Sequence, residues 1–387
     1  MSLCRKVEVS VLAVHNLFMD NRTKINILVL FSLSIIACGG GSDESSRKEH
    51  REVQAAASEK VTLTSTPEPT TSTSPSPDPT LTNNNVGNLK KTTAPNAVCN
   101  NGEQATYTVK MGNTQKWAVI LPGGGMARNA EEYKQRPIRM KQPEIKWHRF
   151  DAGIEKDLEN KGYNMVYIPY CTSDLYQGNH VISIDGKKVP FRGRVIVEDV
   201  IRALYDKLKT ADDVIFAGYS AGAIGIGFHA GLIGEFNNAR VLVDGFWFDE
   251  ETTKWMNDFA KNNDRSFTYK SSMTLCNDNW VSCFPSRENF QKNGVHDVFL
   301  IWNIGDKYAD GVTNRSALQK AIKSDIDYYG AGYSIQADKR EISGFEDWGH
   351  VLAWSDKTYK KKYFKMSLQE AVNNWIDKKS DTIVIDY

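Results

Sequence analysis

Gly218-Tyr219-Ser220-Ala221-Gly222 is the stretch whose reading decides the fold. Its Gly-x-Ser-x-Gly spacing is that of a nucleophile elbow, a strained corner between a strand and a helix. Side chains flanking the serine would clash there, so glycine is needed on both sides. Five letters are a weak signal, and the surroundings make it specific. Val214-Ile215-Phe216-Ala217 is a short apolar run suited to a buried strand, and the residues from Ala221 to Phe228 are small and apolar, as a helix packed closely under a sheet requires. Ser220 is therefore read as a nucleophile rather than as a buried helix N-cap.

The elbow sits inside an alternation of strands and helices. Trp117-Ala118-Val119-Ile120-Leu121 and Val166-Tyr167-Ile168 read as strands, and Val197, Ile201, Leu204 and Leu208 recur at helical spacing ahead of the elbow strand. Further strands are predicted at Arg240-Val241-Leu242-Val243 and at Val298-Phe299-Leu300-Ile301-Trp302. This order is that of an α/β domain on a mainly parallel sheet flanked by helices.

Length and charge bound the function. The 387 residues suffice for one large domain or two average ones, and a formal net charge of +1 leaves no electrostatic footprint for nucleic acid. The N-terminal part reads as targeting and tether. Arg22 and Lys24 precede the apolar run that begins Ile25-Asn26-Ile27-Leu28-Val29-Leu30-Phe31 and ends Ile35-Ile36-Ala37-Cys38. The run is short for a transmembrane span. It resembles a bacterial lipobox, which implies an export segment over 1–38 with Cys38 lipidated as the mature N-terminus. An ordinary signal peptide is the alternative, and both place the protein in a compartment that permits disulfides. Met1 and Met19 both stand as starts; residues 1–18 lie awkwardly upstream of the basic region, and starting at Met19 would exclude Cys4. Residues 39–95 are rich in Gly, Ser, Thr, Pro and Asn and bury too little apolar surface to offset chain entropy, so they read as a disordered spacer. The catalytic domain is expected over 96–387.

The glycines of Pro122-Gly123-Gly124-Gly125-Met126 follow the first strand. A phosphate cradle is excluded there, because the Gly-Lys-Ser/Thr of a P-loop is absent and Arg128 stands where a dinucleotide fingerprint needs its third glycine. An oxyanion hole fits, with backbone amides of Gly125, Met126 and Ala221 aimed at the negative oxygen of a tetrahedral intermediate. A serine hydroxyl needs a base, and the base needs an orienting acid. In this fold they follow in the order Ser, Asp or Glu, His. His229 falls on the helix leaving the elbow and His296 just before an apolar strand, whereas His350 lies in the Gly-bracketed Gly344-Phe345-Glu346-Asp347-Trp348-Gly349-His350 and is the expected base. Asp306, just past the Val298–Trp302 strand, is the expected acid; Asp310 and Asp347 are its rivals, and Asp244 reads as site support.

These motifs together resemble the pectin acetylesterase and Notum family of α/β hydrolases. Cys99-Asn100-Asn101-Gly102 with Tyr107 is similar to its opening motif, and Leu121-Pro122-Gly123-Gly124-Gly125-Met126 to its Gly-Gly-Gly-Trp loop. Pro169-Tyr170-Cys171-Thr172-Ser173-Asp174 matches its Pro-Tyr-Cys-Ser-Ser-Asp signature, and Asp244-Gly245-Phe246-Trp247-Phe248 its Asp-Ser-Gly-Trp-Phe stretch. The resemblance extends to Ala371-Val372-Asn373-Asn374-Trp375 and favours Asp306 over Asp310. Met126 and Ala127 stand where the family usually has Trp and Cys, which implies an altered pocket wall and one family disulfide fewer; Ala223 replaces a glycine.

Four domain cysteines allow three pairings. The seven-residue separation of Cys276 and Cys283 suggests a local loop staple, leaving Cys99 to pair with Cys171. Zinc is disfavoured, since no Cys-x-x-Cys or suitably spaced His is present.

The expected activity is that of a serine carboxylesterase without metal or cofactor. The resemblance implies either removal of acetyl groups from polysaccharide or removal of a long acyl chain. Export on a long spacer favours an O-acetylated polysaccharide. From another class, a silent carbohydrate-binding surface lipoprotein would keep the scaffold without the activity.

Overall fold

A computed structural model describes residues 5–18, 24–37, 87–143, 150–250, 252–254, 282–303, 305–306, 314–335, 350–362, 365–379 and 382–386. Cys38, Cys276, Asp310 and Asp347 lie outside the described residues. The chain divides into two units, Met1–Asp78 and Pro79–Tyr387. In the first, strand β1 (Arg5–Phe18) pairs antiparallel with β2 (Lys24–Ala37), which contains the apolar run read above as an export segment. Among the described residues no helix is long and apolar enough to cross a membrane.

Among the described residues, the second unit is built on a nine-stranded sheet. Its strands in chain order are β3 (Asn88–Lys91), β4 (Thr106–Lys110), β5 (Lys116–Leu121) and β6 (Asn164–Tyr167). A separate hairpin, β7 (His180–Ile184) with β8 (Lys187–Phe191), precedes β9 (Asp213–Tyr219), β10 (Ala239–Asp244), β11 (Val298–Asn303), β12 (Gly332–Ile335) and β13 (Ile383–Asp386). The spatial order is β13-β12-β11-β10-β9-β5-β6-β4-β3. Pairing is parallel from β13 through to β6 and antiparallel where β4 and β3 close the edge.

Strand periodicity explains the layering. In β9, Val214 and Phe216 face one apolar cluster while Ile215 and Ala217 face the other, and β11 divides in the same way, with Val298 and Leu300 opposed to Phe299 and Ile301. Both faces are covered, which is why these strands read as continuous apolar runs rather than alternating ones. Counting helices that position the site, α1 is Ala130–Gln135, α2 Gly153–Asn160, α3 Gly193–Ala203, α4 Ala221–Phe228, α5 Arg315–Tyr329 and α6 Leu368–Ile376. Helices α3, α4 and α5 supply the first cluster through residues such as Ile201, Ile224 and Ile322; α2 and α6 supply the second through Leu158 and Val372. The helical run read over Val197 to Leu208 is interrupted at Leu204, which caps α3 and precedes a second short helix, Tyr205–Lys209.

The folded unit starts before residue 96. β3 joins the sheet edge through four main-chain partners on β4, and the Asp199 carboxylate on α3 accepts the amides of Thr93 at 2.6 Å and Ala94 at 3.0 Å. Residues 88–95 therefore belong to the domain and not to the spacer. All four β3 side chains are exposed, so its attachment is carried by backbone groups that leave no apolar pattern to read.

Cys99 and Cys171 form a disulfide, which ties the segment before β4 to the Pro169–Asp174 signature loop. Cys283 is also disulfide-bonded, with the expected partner Cys276 outside the described residues.

Candidate active site

The parallel strands deliver their carboxyl ends to one edge of the sheet, where such folds build their sites. The glycine loop leaves β5 there, Ser220 leaves β9, Asp244 closes β10, and Asp306 lies three residues beyond β11. Ser220 has φ 52° and ψ −119°, a conformation a non-glycine residue holds only when its surroundings impose it. The imposing contact is visible at Gly222. A Cβ there would lie 1.8 Å from the Leu121 carbonyl oxygen, so β5 and the start of α4 approach as closely as they do only because position 222 lacks a side chain.

Three expected residues meet. His350 Nε2 lies 2.9 Å from Ser220 Oγ, and His350 Nδ1 lies 2.5 Å from Asp306 Oδ2. Ser220, His350 and Asp306 are 9%, 8% and 1% exposed, so the serine and imidazole are only narrowly open while the carboxylate is sealed beneath them. The imidazole is packed edge-on against Phe246 at 5.1 Å. It packs against Gly245, whose φ of +89° strains any side chain and where a Cβ would come within 2.5 Å of the His350 carbonyl oxygen and 3.3 Å of Nδ1.

Of the expected oxyanion donors, Ala221 directly follows Ser220, and Gly125 and Met126 stand further along the glycine loop. Ala221 is the first residue of α4, and its amide is among those a helix N-terminus leaves without an intrahelical acceptor. The glycine loop passes close by, since a Cβ on Gly123 would come within 2.8 Å of Ser220 Cβ. Gly125 has φ +64°, and Met126 forms a single antiparallel bridge with Asp174 whose flanking bond runs from the Ala127 amide to the Ser173 carbonyl at 2.9 Å. In that bridge geometry Met126 turns its own amide away from the Asp174 segment.

The other histidines stand apart. His229 is buried, with Nε2 3.0 Å from the Tyr176 carbonyl, and burial pushes its pKa down to about 4, the carbonyl opposing that shift. His296 is exposed. Asp244 is buried beside the site: its carboxylate accepts the amides of Leu352 and Ala353 at 2.9 and 2.8 Å, and its carbonyl accepts the Ser220 amide at 2.9 Å. Desolvation pushes Asp244 up to about 7, assisted by Asp306 and opposed by the two amides and His350.

Two contributors carried no signal in the motif. Arg136, just past α1, donates to the Gly124 carbonyl, and the Gly123 amide donates to the Tyr219 hydroxyl. Arginine in a charged stretch and the variable residue of an elbow are both uninformative as letters. Among the described residues no group of His, Cys, Asp and Glu is arranged to hold a metal ion. A polar cavity of about 460 Å³, lined by Lys116, Asp213 and Lys378 among others, opens at the amino ends of β5 and β9, away from Ser220.

A parallel sheet covered on both faces, with a serine elbow and a histidine–aspartate pair at its carboxyl edge, defines an α/β hydrolase fold. The model of the pectinacetylesterase family matches residues 79–308, and the chain belongs to that family. It is similar to palmitoleoyl-protein carboxylesterase notum2 of Xenopus laevis, 32% identical over an alignment of 169 residues that covers 39% of this chain and 34% of the relative. It is also similar to the human palmitoleoyl-protein carboxylesterase NOTUM, 30% identical over 39% of this chain and 34% of that one. The planarian protein of the same name, from Schmidtea mediterranea, is 32% identical over 34% of this chain and 27% of its own length. The chain thus spans about a third of the length of these relatives.

Proposed function

We propose that this chain is a serine carboxylesterase that deacetylates an O-acetylated polysaccharide, held at a bacterial membrane by lipid on Cys38. The observation that carries the esterase reading is the relay from Asp306 through His350 to Ser220, at 2.5 and 2.9 Å. His350 Nε2 takes the Ser220 proton as Oγ bonds to the ester carbonyl carbon. The carbonyl electron pair moves to oxygen, where the amides of Gly125, Met126 and Ala221 receive the charge. The imidazolium then gives its proton to the departing alcohol as the C–O bond breaks. Water, deprotonated by the same nitrogen, attacks the acyl-serine, and the acid leaves as Ser220 regains its proton. Asp306 keeps the proton on Nδ1 throughout and stabilises the imidazolium.

Membership of the pectinacetylesterase family supports acetyl as the acyl group and a sugar polymer as the alcohol. The similarity to palmitoleoyl-protein carboxylesterases supports a second reading, a long-acyl esterase. Rates on acetyl, butyryl and longer nitrophenyl esters separate them, and a preference for long chains would sink the deacetylase reading. A serine-directed phosphonate should leave its adduct on Ser220; a folded protein that never forms one, yet binds polysaccharide, is a binding module instead.

A further inference from the structure

The Gly124–Gly125 peptide is a soft part of the oxyanion loop. Neither residue has a Cβ to oppose rotation of the peptide plane, so a flip that points the Gly125 amide the wrong way is cheap unless something outside the loop holds it. Something does. Arg136 is the C-cap residue of α1, and its guanidinium donates to the Gly124 carbonyl and, at 3.3 Å, to Ser173 Oγ. That hydroxyl in turn donates to the Met140 carbonyl at 2.9 Å, so the second anchor is itself fixed. A side chain on Gly125 would meet Arg136 Nη1 at 3.4 Å, so the cation covers this face of the loop.

The Gly124 carbonyl and the Gly125 amide belong to one trans peptide and point in opposite directions. Holding the carbonyl on the guanidinium therefore holds the amide on the opposite face. A cation on the carbonyl oxygen also draws electron density from the peptide nitrogen, which makes the N–H a stronger donor. We infer that Arg136 is a positioning residue that fixes and polarises the Gly124–Gly125 peptide as an oxyanion donor. The inference rests on the esterase reading above. Lysine would supply a cation but not the fork that spans both acceptors.

The test is steady-state hydrolysis of p-nitrophenyl acetate by the full chain and by Arg136→Ala and Arg136→Lys, with thermal melts of each. Arg136→Ala is expected to lower kcat by about 30-fold with KM within about twofold, less than the roughly 100-fold or more that follows outright loss of an oxyanion donor, because the amide itself remains. Added methylguanidinium should restore part of that kcat saturably, which a general loosening of the fold would not allow, and Arg136→Lys should fall between the two. A kcat within about threefold of wild type, a rise in KM alone, or no rescue by methylguanidinium would each overturn the inference. If Arg136→Ala does not melt cooperatively, Arg136→Lys decides, an unchanged kcat counting against. A wild-type chain with neither esterase activity nor a Ser220 phosphonate adduct overturns the esterase reading and this inference together, whereas an active wild type with unaffected variants overturns this inference alone.

Discussion

The amide of Leu352, two residues past His350, donates to the Asp244 carboxylate at 2.9 Å, while the Asp244 carbonyl accepts the Ser220 amide at the same distance. One residue at the end of β10 thus holds the backbone of the base-bearing segment with its side chain and that of the nucleophile with its main chain. The loop carrying His350 has no strand or helix of its own at that point, so this carboxylate substitutes for secondary structure.

Asp244→Asn should be mild and Asp244→Ala severe. One carboxylate oxygen accepts both the Leu352 and Ala353 amides, and an amide oxygen can take its place. Alanine leaves both amides unpaired, and kcat should drop about 100-fold with a loss of roughly 2–4 kcal/mol of stability. Stability against pH separates charge from shape. Burial raises the Asp244 pKa to about 7, with Asp306 adding to the rise and His350 and the amides resisting it; Tyr219 is also within its field. A raised carboxyl favours folding fully below its unfolded value and loses that contribution as pH climbs through the folded value. The wild type should therefore weaken relative to Asp244→Asn from pH of about 4 up to about 7 and stay level above it. Melting temperatures of the two proteins across that range check this; parallel curves would show that Asp244 is not shifted.

The Ser220 elbow predicts a trade between stability and activity. Ser220 and any alanine in its place share φ 52°, whereas glycine occupies that region freely. Ser220→Gly should be more stable than Ser220→Ala by about 1 kcal/mol, although both abolish turnover and phosphonate labelling. Denaturant unfolding of the two variants measures it, and equal midpoints would mean that the corner is not strained.

Strands covered on both faces were the legible part of this chain, because burial on both sides leaves unbroken apolar runs such as Val214–Ala217 and Val298–Trp302. β3 was invisible because its side chains are exposed, and β12, with Gly332 and Ser334 among its four residues, carries too short an apolar pattern to stand out. The chemistry-bearing letters could be placed by order alone: a serine elbow, an aspartate past a later strand, a late histidine. What could not be read was the support around them. Arg136 and Tyr219 act on backbone groups of the glycine loop, and a backbone acceptor or donor has no residue identity to betray it. Asp244 was recognisable as a strand-end acid near the elbow, but its hold on Leu352 and Ala353 depends on where a distant loop returns.

Breaking the Cys99–Cys171 bridge should act on the unfolded chain. The two cysteines are 72 residues apart, and in the chain-entropy model closing a loop of that size is worth about 4 kcal/mol. Cys99→Ser with Cys171→Ser should lose up to that amount in denaturant titrations while keeping most of the activity, since neither cysteine is a member of the Ser220–His350–Asp306 relay. A double variant as stable as the oxidised wild type would show that the denatured chain stays compact without the bridge.

Tyr219→Phe removes a hydroxyl that bonds both the Gly123 amide and the Tyr167 hydroxyl. The Tyr219 ring packs at a tilt against Trp354, four residues past His350, with ring centres 4.5 Å apart, and its hydroxyl accepts the Gly123 amide. Phenylalanine keeps the ring and its contact with Trp354 but leaves the Gly123 amide and the Tyr167 hydroxyl without this partner, at a cost of about 1–2 kcal/mol. Because Gly123 backs directly onto Ser220, the loss should be felt by the oxyanion loop rather than by substrate binding, lowering kcat about tenfold with KM little changed. Kinetics on p-nitrophenyl acetate beside a thermal melt check both halves. A variant that loses stability but keeps its kcat would confine Tyr219 to the packing of the elbow and remove it from the positioning of the loop.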